Sequence, residues 1–255
     1  MAILELEQIA VGYGRFHVIE DVSLSLHEGE FLSIIGPNGA GKTTLIGAMS
    51  GALAPSGGRI LFEQKDVTRW AADKRARAGI GRSYQKTHLF PNLTARANVQ
   101  LAVQARRGVR LRQVLSRVAQ EIQAEATEGL RQVGLEGHAD LSAAALSHGD
   151  KRKLELAMLL ALQPKVLLLD EPTAGMSLAE APAILDLIAG LKASGRYSLV
   201  LVEHKLEVVM RLSDRVAVMH QGALLTHGTP AEVMANPEVE RAYLGTAHGR
   251  ANYGQ

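Results

Sequence analysis

Gly36-Pro37-Asn38-Gly39-Ala40-Gly41-Lys42-Thr43-Thr44 fits the pattern G-x-x-x-x-G-K-[ST]. Its glycines let the backbone curl until several N–H groups face one anion. Lys42 supplies a point charge suited to the β- and γ-phosphates of a nucleotide, and Thr43 a hydroxyl suited to Mg²⁺. Just before it, residues 31–35 (Phe-Leu-Ser-Ile-Ile) are an apolar run of strand type; just after it, residues 45–49 continue as a helix. A phosphate held here sits at a helix N-terminus, where the dipole and the free N–H groups favour it. That setting separates a phosphate-binding loop from a glycine-rich structural turn.

The rest of the chain is consistent with a globular nucleotide-binding protein. Its 255 residues make one large domain or a domain with a sizeable insert. Hydrophobic residues at 47% and charged residues at 21% suffice for a packed core without staples. A formal net charge of +2 gives no overall footprint of a nucleic-acid binder. Without cysteine there is no disulfide, no thiolate nucleophile and no thiolate metal site. No apolar run approaches the roughly 18 residues of a membrane span. Residues 1–12 lack the basic start and long apolar core of a signal peptide. The expectation is a soluble, intracellular chain that reaches a membrane only through a partner.

The first third reads as strands. Ile3, Leu4, Leu6, Ile9 and Val11 mostly alternate, and Val22, Leu24 and Leu26 alternate strictly. Turns are expected at 27–30 and 55–58, with a strand at 59–62. From about Asn92 to Leu160 the pattern is helical: Val114, Val118, Ile122, Ala126, Leu130 and Val133 recur on one face. A basic cluster at 106–112 interrupts it, read as a solvated helix connection, with acidic lipid or a partner as the other reading. The last third alternates strands (166–169, 199–202, 216–219) with helices around 182–191 and 206–212. That order implies a parallel α/β core with right-handed crossovers. The expected division is a core of 1–85 and 161–245, a helical insert of 86–160, and a loosely ordered tail of 246–255.

Three further motifs carry chemistry. Asp170-Glu171-Pro172 ends an apolar strand, on the edge of an α/β sheet where ligands bind. Asp170 is placed to hold Mg²⁺ and Glu171 to accept a proton from an attacking water; standing alone, the pair also reads as a helix N-cap. His204 follows strand 199–202 and is placed to bond a γ-phosphate and orient that water; a lone histidine also reads as a packing or surface residue. Leu146-Ser147-His148-Gly149-Asp150 opens a helix at 151–160, giving a second phosphate-facing surface or simply a capped helix.

Taken in order, the P-loop, an isolated glutamine, Leu-Ser-x-Gly, a strand ending Asp-Glu-Pro and a strand followed by histidine resemble an ATP-binding cassette (ABC) ATPase over residues 3–245. The resemblance implies a P-loop α/β core with an N-terminal antiparallel β-subdomain and an inserted helical subdomain. It also implies roles. Tyr13 would stack on adenine, and Gly36, Pro37, Asn38, Gly39, Ala40, Gly41, Lys42, Thr43 and Thr44 would cradle the phosphates. Gln85 would sense Mg²⁺ and the γ-phosphate; Ser147, His148, Gly149 and Asp150 would form the signature. Asp170 would complete the metal site with Thr43 and Gln85, while Glu171, His204, Gln85 and Lys42 would drive hydrolysis of ATP. The signature of one subunit would complete the ATP site of another in a head-to-tail dimer with itself or a paralogue. Ser177 departs from the aspartate often found there, which weakens the expected contact between subunits.

Leu-Ser-His-Gly-Asp, Ala174-Gly175-Met176 and the stretch 236–245 resemble the longer ATPase of bacterial branched-chain amino-acid importers. The implied partners are transmembrane permease subunits and, indirectly, a solute-binding protein, with no nucleic acid. The implied place is the cytoplasmic face of the bacterial inner membrane. Leu89, Phe90, Pro91 and Leu93 would be part of the groove for a permease helix; ordinary packing is the other reading. Relatives serving urea, amides or aromatic acids, or exporting lipopolysaccharide, are the alternatives, as is a cassette that does not hydrolyse. A P-loop GTPase is disfavoured because no Asn-Lys-x-Asp motif is present.

Overall fold

The apolar runs of the chain become the strands of a six-stranded sheet. The computed structural model describes residues 1–14, 16–83, 88–108 and 116–244. In it β3 (Phe31–Ile35), β6 (Ile80–Arg82), β7 (Val166–Asp170), β8 (Ser198–Val202), β9 (Arg215–His220) and β10 (Ala223–Gly228) stand in the order β10-β9-β3-β8-β7-β6. The pairs β9–β3, β3–β8, β8–β7 and β7–β6 are parallel, and only β10 runs antiparallel, against β9. Every residue of β3, β7 and β8 is buried. Their runs are continuous because each face meets a different core: Val166 and Leu168 pack to one side with Val200 and Val202, Leu167 and Leu169 to the other with Leu199 and Leu201.

The first of those cores lies between this sheet and a smaller antiparallel one. There β1 (Ala2–Tyr13), β2 (Phe16–His27), β4 (Gly57–Phe62) and β5 (Lys65–Asp66) stand in the order β2-β1-β4-β5. The imperfect alternation of the first strand has a physical cause. The register with β2 shifts between Leu6 and Ile9, where Gln8 takes a positive φ of 50°, so both apolar residues stay inward. Helix α1 (Lys42–Ser50), which follows the P-loop, is buried along nearly its whole length between the sheets. A short α2 (Ala72–Ala78), unexpected from the sequence, leads into β6, which was equally unforeseen.

The second core is helical. Helices α3 (Ala95–Arg107), α4 (Ser116–Gln132) and α5 (His148–Ala161) pack Val99, Val103, Ile122, Ala126, Leu130, Leu154 and Ala157 together, next to the outer faces of β7 and β8. The face expected on α4 is the buried one at Ile122, Ala126 and Leu130; Val114 lies outside the described residues. Arg106 and Arg107 pair with Glu125 and Glu121 on α4. The remainder of the basic cluster, from 109 to 112, falls outside the described residues, as does the tail 246–255. After β7 come α6 (Ala181–Ala193), with Pro182 in its first turn, and α7 (Leu206–Leu212). The last helices, α8 (Pro230–Met234) and α9 (Pro237–Leu244), close the chain; a third small core around Val209, Val218 and Val233 holds them.

Candidate functional site

Parallel neighbours end on the same edge, so β3, β7 and β8 deliver their following loops to one place. β3 delivers the P-loop. Gly36 has φ 151°, and a Cβ there would lie 2.2 Å from the Met219 carbonyl oxygen, so no other residue fits this close pass against β9. Gly41 caps α1 with φ 98°, which turns the backbone into the helix. Lys42 is 6% exposed and folds back over the loop: its Nζ donates to the carbonyls of Gly36 (2.8 Å) and Pro37 (3.0 Å). Burial lowers its pKa, and the nearby carboxylates of Glu171 and Asp170 oppose that fall. The lysine is thus a buried cation facing two acids. Lys42→Ala is expected to weaken ATP binding by about tenfold to a hundredfold, the worth of one charge-assisted contact; an unchanged Kd by equilibrium titration would remove Lys42 from the site.

β7 delivers Asp170 and Glu171. Asp170 is 1% exposed. Burial raises its pKa, against the pull of Arg82, whose Nη2 donates to Oδ2 at 3.1 Å. The other oxygen, Oδ1, is buried and has no hydrogen-bond partner among the described residues. An orphaned carboxylate oxygen is costly, and a cation or its water shell would satisfy it. Glu171 adopts φ 47°, a left-handed conformation that costs about 1–3 kcal/mol for a residue other than glycine. Its N–H donates to the Val202 carbonyl at 3.0 Å, tying the end of β7 to the end of β8.

β8 delivers His204. Its Nε2 lies 2.8 Å from Glu171 Oε1. With Glu171 as a carboxylate, Nε2 carries the proton and donates it. Lys42, Asp170, Glu171 and His204 therefore gather around the P-loop. Among the described residues no bond joins Ser147, His148, Gly149 or Asp150 to that group. Instead Ser147 caps α5, its hydroxyl accepting the Asp150 N–H at 3.1 Å. Gly149 N–H donates to Glu180 Oε1 (3.2 Å). Ser177, whose hydroxyl donates to Glu180 Oε2 (2.8 Å), is turned onto the same carboxylate. The cap starts the helix at His148, three residues before the expected 151. Gln85 lies outside the described residues, as does the side chain of Tyr13.

Sequence reading missed Arg82, Asn98, Glu180 and Glu203. Asn98 is fully buried and pins the segment before α3: it accepts the Phe90 N–H (2.8 Å) and donates to the carbonyls of Phe90 (3.1 Å) and Thr94 (2.9 Å). None of the four sits in a local pattern. The nearest thing to a signal is a polar residue placed where the apolar period asks for a core residue, as at Asn98.

A sequence profile described as ABC transporter matches residues 19–174. The chain belongs to the ABC transporter family. A second profile, for the branched-chain amino acid ATP-binding cassette transporter, matches residues 223–249. The chain is similar to the high-affinity branched-chain amino acid transport ATP-binding protein LivG of Salmonella typhimurium, 36% identical over 251 residues, 96% of this chain and 98% of that one. BraF of Pseudomonas aeruginosa, named for the same transport, is 35% identical over 252 residues, with 96% and 98% of the two chains covered. The lipopolysaccharide export ATP-binding protein LptB of Escherichia coli is 34% identical over 245 residues at the same coverage. Among solved structures, the ADP conformation of MJ1267, an ATP-binding cassette of an ABC transporter, superposes with a TM-score of 0.83 at 29% identity, covering 96% of this chain and 99% of that chain. The enzymatic class is that of the ABC ATPases, the nucleotide-hydrolysing subunits of transporters. The α/β core with its antiparallel sheet and inserted helices is the ABC cassette fold. Among the described residues no helix is long and apolar enough to cross a membrane.

Proposed function

We propose that this ABC ATPase energises import of branched-chain amino acids through a membrane permease, using Mg²⁺-dependent ATP hydrolysis at a site shared between two cassettes. The observation that carries the hydrolytic reading is the Glu171–His204 contact at 2.8 Å beside the buried Lys42. Glu171 takes the proton of the attacking water. His204 holds Glu171 in place before ATP arrives, and its Nε2–H then turns to the γ-phosphate. Lys42 meets the β- and γ-phosphates, releasing the two loop carbonyls. Thr43, Asp170 and Gln85 are the residues to hold Mg²⁺, which neutralises phosphate charge; the unpartnered Asp170 Oδ1 fits that use. Tyr13 stacks on the adenine.

The second half of the site, Ser147 to Asp150, serves the nucleotide of a facing subunit, which is either a copy of this chain or a paralogue. A relative of the same fold, the bacterial cassette MJ0796, is described as dimeric and, bound to ADP and Pi, as a dimer in a post-hydrolysis state. ATP joins the two halves and ADP does not, so hydrolysis shifts the balance between closed and open pairs. Gln85 links that change to the helices. Phe90 (51% exposed) and Leu93 (38%) stand out from a segment clamped from beneath by Asn98. An apolar pair held outward in this way suits a cytoplasmic permease helix. The chain would thereby sit on the inner face of the bacterial membrane and serve, at one remove, a solute-binding protein.

The match at 223–249 supports branched-chain amino acids as the solute. The similarity to LptB keeps lipopolysaccharide export as the second reading. The test is uptake of labelled leucine, isoleucine and valine in cells lacking the gene. Uptake is expected to be lost, and restored by wild type but not by Glu171→Gln. Undiminished uptake of all three would reject the solute class while leaving the ATPase reading intact.

A further inference from the structure

Beneath the exposed Glu171–His204 contact lies a second, buried one. Glu203 and Thr173 are each 4% exposed. The Thr173 hydroxyl donates to Glu203 Oε1 at 2.6 Å. The other oxygen, Oε2, accepts the His204 N–H at 2.9 Å and, more weakly, the Lys205 N–H at 3.4 Å. A carboxylate is expensive to bury unless donors satisfy it, and here three do. None of them is a cation, so Glu203 forms no ion pair among the described residues. What it does is join two loops. Thr173 stands two residues after Glu171, and His204 directly follows Glu203.

We propose that Glu203 is a positioning residue for hydrolysis: through Thr173 and the His204 backbone it holds His204 and Glu171 in register with each other. The inference rests on the reading of Glu171 as proton acceptor. Three cross-links then connect the ends of β7 and β8. The backbone rung is Glu171 N–H to the Val202 carbonyl at 3.0 Å. The inner rung is Thr173–Glu203, and the outer is His204–Glu171. The outer rung alone is weak, because its side chains are 42% and 24% exposed and water competes for both. The inner rung is dry, short and charge-assisted, so it fixes the geometry that the outer one uses. It also restrains the segment that carries the left-handed Glu171. Neither Thr173 nor Glu203 is among the residues proposed to touch the nucleotide, so the loss of this rung should fall on turnover rather than on affinity.

Thr173→Val keeps volume and shape and removes the hydroxyl that donates to Glu203, whereas Glu203→Gln keeps the shape but makes the bond neutral, its amide NH2 able to donate to the Thr173 hydroxyl instead. In steady-state ATPase assays of the purified full chain, Thr173→Val is expected to lower kcat about tenfold or more, and Glu203→Gln by less, while KM for ATP stays within about twofold. Thr173→Ser restores the hydroxyl and should restore kcat. The double variant should lose no more than the worse single, and Thr173→Val should cost less in a His204→Ala background than in the wild type. Wild-type kcat in Thr173→Val overturns the proposal. So do losses that add in the double variant, stay undiminished without His204 and follow the fall in Tm, since those mark a merely structural contact. If Glu203→Gln does not fold, Thr173→Val and Thr173→Ser decide the matter alone. The underlying reading fails differently: there, Glu171→Gln itself turns over ATP normally.

Discussion

Glu171→Gln is expected to bind ATP as tightly as the wild type and to hydrolyse it about 10²–10³-fold more slowly. An amide keeps the size of the side chain and still accepts the His204 Nε2–H at the distance seen, 2.8 Å. What it loses is the basicity needed to take a proton from water. Affinity should survive because Lys42, the residue proposed to meet the phosphates, is held by the carbonyls of Gly36 and Pro37 rather than by Glu171. Removing one acid from beside a buried lysine lowers local negative charge, so affinity for an anion falls no further. Because ATP then persists, closed pairs of cassettes should accumulate, visible as a dimer in size-exclusion chromatography with Mg-ATP. Turnover within twofold of wild type would exclude Glu171 as the base and leave the water to another group. Slow turnover with a weakened Kd would instead indicate that the left-handed backbone at φ 47° had collapsed.

The Asp170–Glu171 and Lys42 reading was available from the sequence because it depends on spacing along the chain. Buried parallel strands announce themselves as unbroken apolar runs, as 166–169 and 199–202 do, and the candidate catalytic groups follow at their ends. The P-loop is one continuous segment, so its geometry is encoded locally. Three kinds of feature stayed hidden. Short elements such as β6, with three residues, and α2, with seven, lack room for a period. Side chains that bond groups outside their own element, such as Asn98 on the Phe90 backbone or Arg82 on the Asp170 carboxylate, are known only once the chain is folded. The third is what a nominal ligand does in the chain by itself. The signature residues bond Glu180 and their own helix rather than the P-loop, a choice that depends on the fold of α5 and α6. Ser177 belongs with these: the sequence raised a doubt about its contact across a dimer, and its hydroxyl in fact bonds Glu180.

Arg75→Met is expected to destabilise the fold by about 3–5 kcal/mol, although residue 75 touches no site residue. Arg75 is completely buried. Its guanidinium is the hub beneath the far end of the P-loop helix: Nη1 donates to the carbonyls of Ala48 (2.6 Å) and Met49 (2.8 Å), Nη2 to Thr68 (3.0 Å), and Nε to Trp70 (3.1 Å). Burial pushes its pKa down to about 10, with Asp66 opposing, so at neutral pH it remains a cation. A cation here also meets the negative end of the α1 dipole, where the Gly51 N–H bonds the Ala48 carbonyl and the Leu53 N–H the Gly47 carbonyl. Methionine keeps the apolar stem but leaves four carbonyls without these donors. Lysine has one nitrogen and cannot reach all four, so Arg75→Lys should fall between. For a chain of this size the loss corresponds to about 10 °C in Tm, read by circular dichroism. A fall of less than about 2 °C would mean that water replaces the guanidinium at no cost. ATP separates stability from function. The P-loop, the proposed phosphate site, lies at the opposite end of α1, so the rise in Tm at saturating Mg-ATP should be the same in variant and wild type. A smaller rise in the variant would show instead that the hub holds the P-loop in its binding conformation, making Arg75 part of the nucleotide site at one helix length's remove.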